Sequence, residues 1–230
     1  MSDQHQPLPP YARPELGFPT LPEGTRPVKP RAAASLVLLR RRLSGSWEVL
    51  LGRRAGKHRF LPNVYAFPGG RVDLSDKSDT HHKPLDKNTE SRLLKHGCSI
   101  REAQALGIAA ARETWEETGL ALGPLVSGSL QPDLSGLAYL CRAITPAQSP
   151  IRFHARFFVA DAEAASGQLG GSGELLDLSF RPLDDALALP LADITEFVLT
   201  QLKTLESLAQ PARTAFWRYR SGRAVVSWEG

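Results

Sequence analysis

The chain has 230 residues, 42% hydrophobic and 23% charged, the composition of an ordinary globular protein with one sizeable core. Its two cysteines, Cys98 and Cys141, form no Cys-x-x-Cys pair, which leaves no disulfide framework and no zinc-ligand spacing. The opening MSDQHQPLPP lacks a signal-peptide pattern and no apolar run approaches roughly 18 residues, so a cytoplasmic protein without membrane contact is expected. The net charge of +4 is uneven: residues 26–59 hold ten Lys or Arg against the single acid Glu48. A positive segment of that kind attracts an anionic small molecule, while the aromatic interleaving of a nucleic-acid platform is missing.

Residues 1–30 are proline-rich without periodic apolar pattern and read as an extended arm. Residues 32–39 and 47–51 flank the turn composition of residues 42–46, which predicts a β-hairpin. Val64-Tyr65-Ala66-Phe67 reads as a strand running into a Pro68-Gly69-Gly70 loop, where glycine permits a tight bend close to a ligand. Residues 71–99 are polar and aperiodic and read as an insertion, partly helical or mobile. Ile100 to Thr118 is rich in Ala, Glu, Arg and Leu and stops at Gly119, the signature of a helix with a glycine just past its end. Residues 137–144 and 153–160 read as strands, and 184–209 as helix interrupted at Pro190. Residues 211–230 read as a C-terminal tail in which 224–228 form an edge strand. The sum is an α/β domain over residues 31–210, with helices packed on a mixed sheet.

Chemistry concentrates in Arg112-Glu113-Thr114-Trp115-Glu116-Glu117-Thr118-Gly119-Leu120. At 100° per residue, Glu113, Glu116 and Glu117 share an arc of about 100°, with Arg112 at its edge. Ile108, Ala111 and Trp115 project from the opposite side and supply a packing face. Three neighbouring carboxylates repel one another, and a divalent cation relieves that repulsion; magnesium takes hard oxygen ligands and joins carboxylates to substrate phosphates.

These residues resemble the box of the Nudix hydrolases, G-x5-E-x7-R-E-U-x-E-E-x-G-U, with U aliphatic. Arg112, Glu113, Glu116, Glu117, Gly119 and Leu120 fall in register, Thr114 occupies an aliphatic position, and Gly70 supplies the opening glycine. Counting back from Arg112 places Gln104 where the family has its first Glu, the residue that steadies the box arginine. The resemblance implies a Nudix-type α/β/α sandwich in which Glu113, Glu116, Glu117 and the Gly70 carbonyl bind Mg2+, with Mn2+ as an alternative. Leu50-Leu51-Gly52-Arg53-Arg54-Ala55, Arg59 and Phe67-Pro68-Gly69-Gly70 further resemble the signature of the coenzyme A diphosphatase branch, with Gly52 in place of Thr and Asn63 in place of Gly. That branch implies hydrolysis of coenzyme A or an acyl derivative at its diphosphate; ADP-ribose or another nucleoside diphosphate compound is the alternative, and a non-catalytic nucleotide-sensing module the third reading.

Arg53, Arg54 and Arg59 are the expected substrate-binding residues, because guanidinium groups offer forked, permanently charged donors to phosphate. The expected catalytic set is Arg112, Glu113 and Glu174; Glu174 follows the glycine-rich stretch 167–173 and competes with Glu113 as the base that deprotonates water. The expected partner is a small-molecule nucleotide. Nothing in the sequence specifies oligomeric state, and a homodimer stays open.

Overall fold

The computed structural model describes residues 20–43, 45–56, 61–205, 211 and 213–229. In chain order its elements are β1 (Arg31–Arg41), β2 (Trp47–Arg54), β3 (Tyr65–Ala66), β4 (Gly69–Arg71), α1 (Leu74–Ser78), α2 (Lys87–Lys95), α3 (Ile100–Thr118), β5 (Leu120–Ala121), β6 (Leu125–Val126), β7 (Ser129–Leu130), β8 (Ala138–Ile144), β9 (Phe153–Asp161), β10 (Ser166–Gly167), β11 (Leu175–Pro182), α4 (Leu183–Leu187), α5 (Asp193–Leu202), β12 (Thr214–Arg220) and β13 (Arg223–Glu229). The main sheet runs β11-β2-β1-β9-β8-β12-β13, with β3 on β2 and β4 on β1.

The sheet is mixed. β1 pairs parallel with β9 and antiparallel with β2, while β8 pairs antiparallel with β9 and parallel with β12. β1 lies inside the sheet, between β2 and β9, and is buried on both faces, so its middle reads as one apolar run. Its alternation divides the core: Val37 and Leu39 face α4 and α5, whereas Leu36 and Leu38 face α2 and α3. All four are fully buried, and each such side chain contributes about 1.5–3 kcal/mol. Helices cover both faces, which is the α/β/α arrangement.

The predicted hairpin, the strands of 137–144 and 153–160, and helix α3 all form. Ser99 caps α3: its hydroxyl accepts from the Glu102 amide at 3.3 Å while the Glu102 carboxylate accepts from the Ser99 amide at 2.9 Å. Gly119 ends it in the left-handed region. The expected loop at Gly69-Gly70 is instead the short strand β4, held against β1 through the register Ser35–Gly69 and Ala34–Gly70. The 71–99 stretch carries two ordered helices, α1 and α2. Between β8 and the expected edge strand β13 lies a further strand, β12, and together β12 and β13 extend the main sheet. The predicted helix through residue 209 divides at Pro190 into α4 and α5, and residues 206–210 lie outside the described part. No helix among the described residues is long and apolar enough to cross a membrane.

Candidate active site

The second half of α3 sends its acidic face across β4. The Gly69 amide donates to Glu117 Oε2 at 2.8 Å, and Gly70 lies so close to the Glu113 carboxylate that a Cβ there would collide with it. Two residues without side chains therefore let the glutamates reach past a strand. They meet a cavity of 310 Å³ in which Glu113, Glu117 and Glu174 face Arg54, with Ala33, Ser35, Ala155 and Phe153 on the sheet side.

Among the described residues that line this cavity, three carboxylates face one guanidinium. Burial pushes the Glu117 carboxyl up to about 8, with the Gly69 hydrogen bond and Arg54 opposing and Glu113 and Glu174 adding to the rise. Burial likewise raises Glu113, against the pull of Arg112. Arg54 is lowered by its own desolvation, which the nearby Glu117 and Glu174 partly offset. Carboxylates held this far from water, and this close together, are poised for a cation.

Arg112 stands outside the cavity and acts as a clasp. It binds Asp76 through two parallel contacts, Nε to Oδ1 at 2.9 Å and Nη2 to Oδ2 at 3.0 Å, and donates to the Arg71 carbonyl at 3.2 Å. Its Nη1 lies 3.0 Å from both Glu113 and Glu116. Burial alone would lower the guanidinium, yet Asp76 and Glu113 hold it above the ordinary arginine range. The acid that steadies the box arginine is thus Asp76, and the count back to Gln104 is corrected. The insertion falls after that acid, so counting six residues forward from Gly70 reaches Asp76 while counting back from Arg112 lands in the inserted helical turn. Gln104 serves the insertion itself: its amide nitrogen donates to Glu90 at 2.6 Å and its oxygen accepts from the Leu85 amide at 3.1 Å.

Glu174 reaches the cavity through a loop fastened to the end of α3. β10 pairs with β5, the Gly170 amide donates to the Thr118 carbonyl at 2.9 Å, and the Ala55 amide donates to the Glu174 carbonyl at 3.0 Å. Gly119 and Gly171 approach this loop and the Glu117 carbonyl too closely for any side chain. The backbone at Glu174 is therefore held in place.

The remaining expected residues divide. Arg54 lines the cavity; Arg53 alternates to the other face of β2, where Nη1 lies 3.5 Å from Asn63 Oδ1. Glu116 is half exposed and turned to Arg112, away from the cavity lining. Arg59 lies outside the described residues. Phe153 and Ala155, beside the site, belong to the predicted strand of residues 153–160.

No protein-family model matches the chain. Over 133 residues it is 30% identical to acyl-coenzyme A diphosphatase NUDT19 of Xenopus laevis, a stretch covering 49% of this chain and 30% of that protein. The match therefore spans under a third of the relative. A NUDIX hydrolase from Alicyclobacillus acidocaldarius superposes with a TM-score of 0.60 at 28% identity, covering 76% of this chain and 91% of that one. The chain has the Nudix hydrolase fold. A MutT NUDIX hydrolase from Burkholderia pseudomallei gives a TM-score of 0.48 at 22% identity.

Nudix hydrolases generally use divalent cations, and the donor set here suits one. Among the described residues no three acidic, His or Cys side chains form a closed ligand set. What the Nudix box offers is two desolvated carboxylates, Glu113 and Glu117, beside the backbone of Gly70. A hard cation that keeps several waters and takes further oxygens from a substrate diphosphate fits that open set.

Proposed function

We propose that the chain is a divalent-cation-dependent diphosphatase acting on a nucleotide derivative, with coenzyme A or an acyl-coenzyme A as the leading substrate. One observation carries the reading: Glu113, Glu117, Glu174 and Arg54 converge with Gly69-Gly70 on one cavity. The resemblance to an acyl-coenzyme A diphosphatase, across 49% of this chain, supports the choice of substrate.

Glu113, Glu117 and the Gly70 carbonyl would hold Mg2+ or Mn2+, with Glu116 joining by exchanging its contact with Arg112. The cation, when bound, neutralises diphosphate oxygens and lowers the pKa of bound water. Arg54 faces the diphosphate with a guanidinium set beside the Glu117 and Glu174 carboxylates and draws the anionic substrate into the cavity. Arg112 is a positioning residue that locks α3 to α1 and β4. The proton of the attacking water goes to Glu113 or to Glu174, both of which line the cavity.

Turnover of a panel comprising coenzyme A, acetyl-coenzyme A, ADP-ribose and diadenosine tetraphosphate with Mg2+ tests the reading. Release of 4′-phosphopantetheine and adenosine 3′,5′-bisphosphate at the highest kcat/KM is the expected result. Preference for ADP-ribose would replace the substrate and keep the chemistry, and no turnover of any diphosphate would overturn both. Glu174→Gln and Glu113→Gln separate the two bases: the true base loses kcat across the pH range, whereas loss of a ligand is partly recovered at high Mg2+.

A further inference from the structure

Where β1 and β9 leave the covered core, their side chains step down in size. On the face that carries Val37 and Phe157 the next residues outward are Ser35, Ala33 and Ala155, and beyond them stand Arg31 and Phe153. Alternation puts Arg31, Ala33 and Ser35 on one face of β1 and Phe153 and Ala155 on the same face of β9, because the two strands are parallel and register Arg31 with Phe153 and Ala33 with Ala155. Ala33, Ser35, Ala155 and Phe153 all line the catalytic cavity. The result is a trough with a floor of small residues, the glutamates at one end, and an aromatic ring with a guanidinium at its rim at the other.

The trough is sized for part of a substrate. The whole cavity, glutamates and Arg54 included, has a volume of 310 Å³, at the low end of small-molecule sites, so the trough takes one portion of a ligand and not its full length. A flat aromatic wall beside small side chains is a stacking surface for a base. Arg31 is exposed and has no carboxylate partner among the described residues, and a fork-shaped donor beside that ring suits a second phosphate on the same nucleotide.

We propose that the β1–β9 trough is the nucleotide subsite, with the base on Phe153 and a phosphate beyond the scissile diphosphate held by Arg31. This deepens the diphosphatase reading and rests on it for the place of the diphosphate. It assigns selectivity for a 3′-phosphorylated nucleotide to β1, whereas the basic run near Arg54 and Arg59 is left to the diphosphate and the other arm. The nucleotide end therefore points away from β2.

Calorimetric binding of adenosine 3′,5′-bisphosphate and of AMP, both products rather than substrates, tests this without turnover. Wild-type protein is expected to bind the bisphosphate about tenfold more tightly than AMP. Arg31→Gln should bring that ratio near one while AMP affinity stays put, whereas Phe153→Ala should weaken both nucleotides about tenfold and keep the ratio, and Phe153→Trp should restore them. An unchanged ratio in Arg31→Gln, unchanged affinities in Phe153→Ala, a ratio that collapses in Arg59→Ala instead, or no binding of either nucleotide to wild type would each overturn the assignment. Failure of the diphosphatase reading shows separately, as absent hydrolysis in the substrate panel.

Discussion

Two charged regions of this molecule are built on opposite rules. At the sheet's β13 edge, Arg142 grips the Glu229 carboxylate through Nε at 2.8 Å and through Nη2, and stacks on Phe216 with its Cζ 3.7 Å from the ring centroid. Although burial alone would raise it, Glu229 is held below the ordinary carboxylate range by Arg142 and His96. In the candidate cavity the carboxylates outnumber the cations among the described lining residues, and burial drives Glu117 and Glu113 the other way. A matched network holds strands together, while a mismatched one stores an unmet demand for charge.

The sharpest way to break the contrast is to neutralise one acid in each region. Glu117→Gln should lower kcat by about a thousandfold or more, the scale of losing transition-state charge stabilisation, whereas Glu229→Gln should leave turnover within a factor of two. Their pH profiles of stability should differ in sign. Glu117 has a folded pKa above its unfolded value, so its contribution is full below the ordinary carboxylate range and is lost as pH rises through about 8. Glu229, with a depressed pKa, contributes above that range and loses the contribution on acidification. Melting curves in EDTA should therefore lose their alkaline decline in Glu117→Gln and their acid decline in Glu229→Gln, and Mg2+ should raise Tm more at pH 9 than at pH 6. Parallel profiles for the two variants would erase the distinction.

A smaller effect is expected at the clasp. Asp76→Ala strips Arg112 of its bidentate partner and should cost about 10–100-fold in kcat or in Mg2+ affinity, as loss of residues supporting a ligand usually does. Asp76→Glu should recover most of it, and wild-type kinetics in Asp76→Ala would show that the clasp has no bearing on the site. Smallest is Gln104→Glu, which sets a second carboxylate against Glu90 and should destabilise the fold by about 1 kcal/mol or less, with turnover unchanged. Denaturant midpoints measure it; a stabilised variant would restore position 104 as the partner of Arg112.

How far the sequence carried depended on the range of the information. α3 was legible residue by residue because its caps, its period and Gly119 are local signals. Glu113 and Glu117 followed from the same helical spacing, but the turning of Glu116 toward Arg112 could not, since it depends on where the guanidinium is anchored. Asp76 was hidden by an insertion that made two counts disagree. β11 escaped notice because a bulge between Leu176 and Ser179 breaks its alternation, while β12 carried a usable signal in Phe216-Trp217-Arg218-Tyr219 ahead of the Ser221-Gly222 turn. Arg54 on β2, Phe153 on β9 and Glu174 on the loop before β11 are far apart in sequence, and only the pairing of those strands gathers them.

The fastening of the Glu174 loop to α3 bears on how this protein can change. Gly119 and Gly171 bring backbone against backbone, with the Gln168 carbonyl only 2.5 Å from where a Cβ on Gly119 would sit, so neither position tolerates even alanine without pushing the helix and loop apart. Residue substitution there is closed to drift, whereas the trough between β1 and β9, floored by alanines and open at its rim, can accept larger or differently charged side chains. New substrate ranges in descendants or in directed libraries should accordingly arise along that trough, with the join between helix and loop inherited intact.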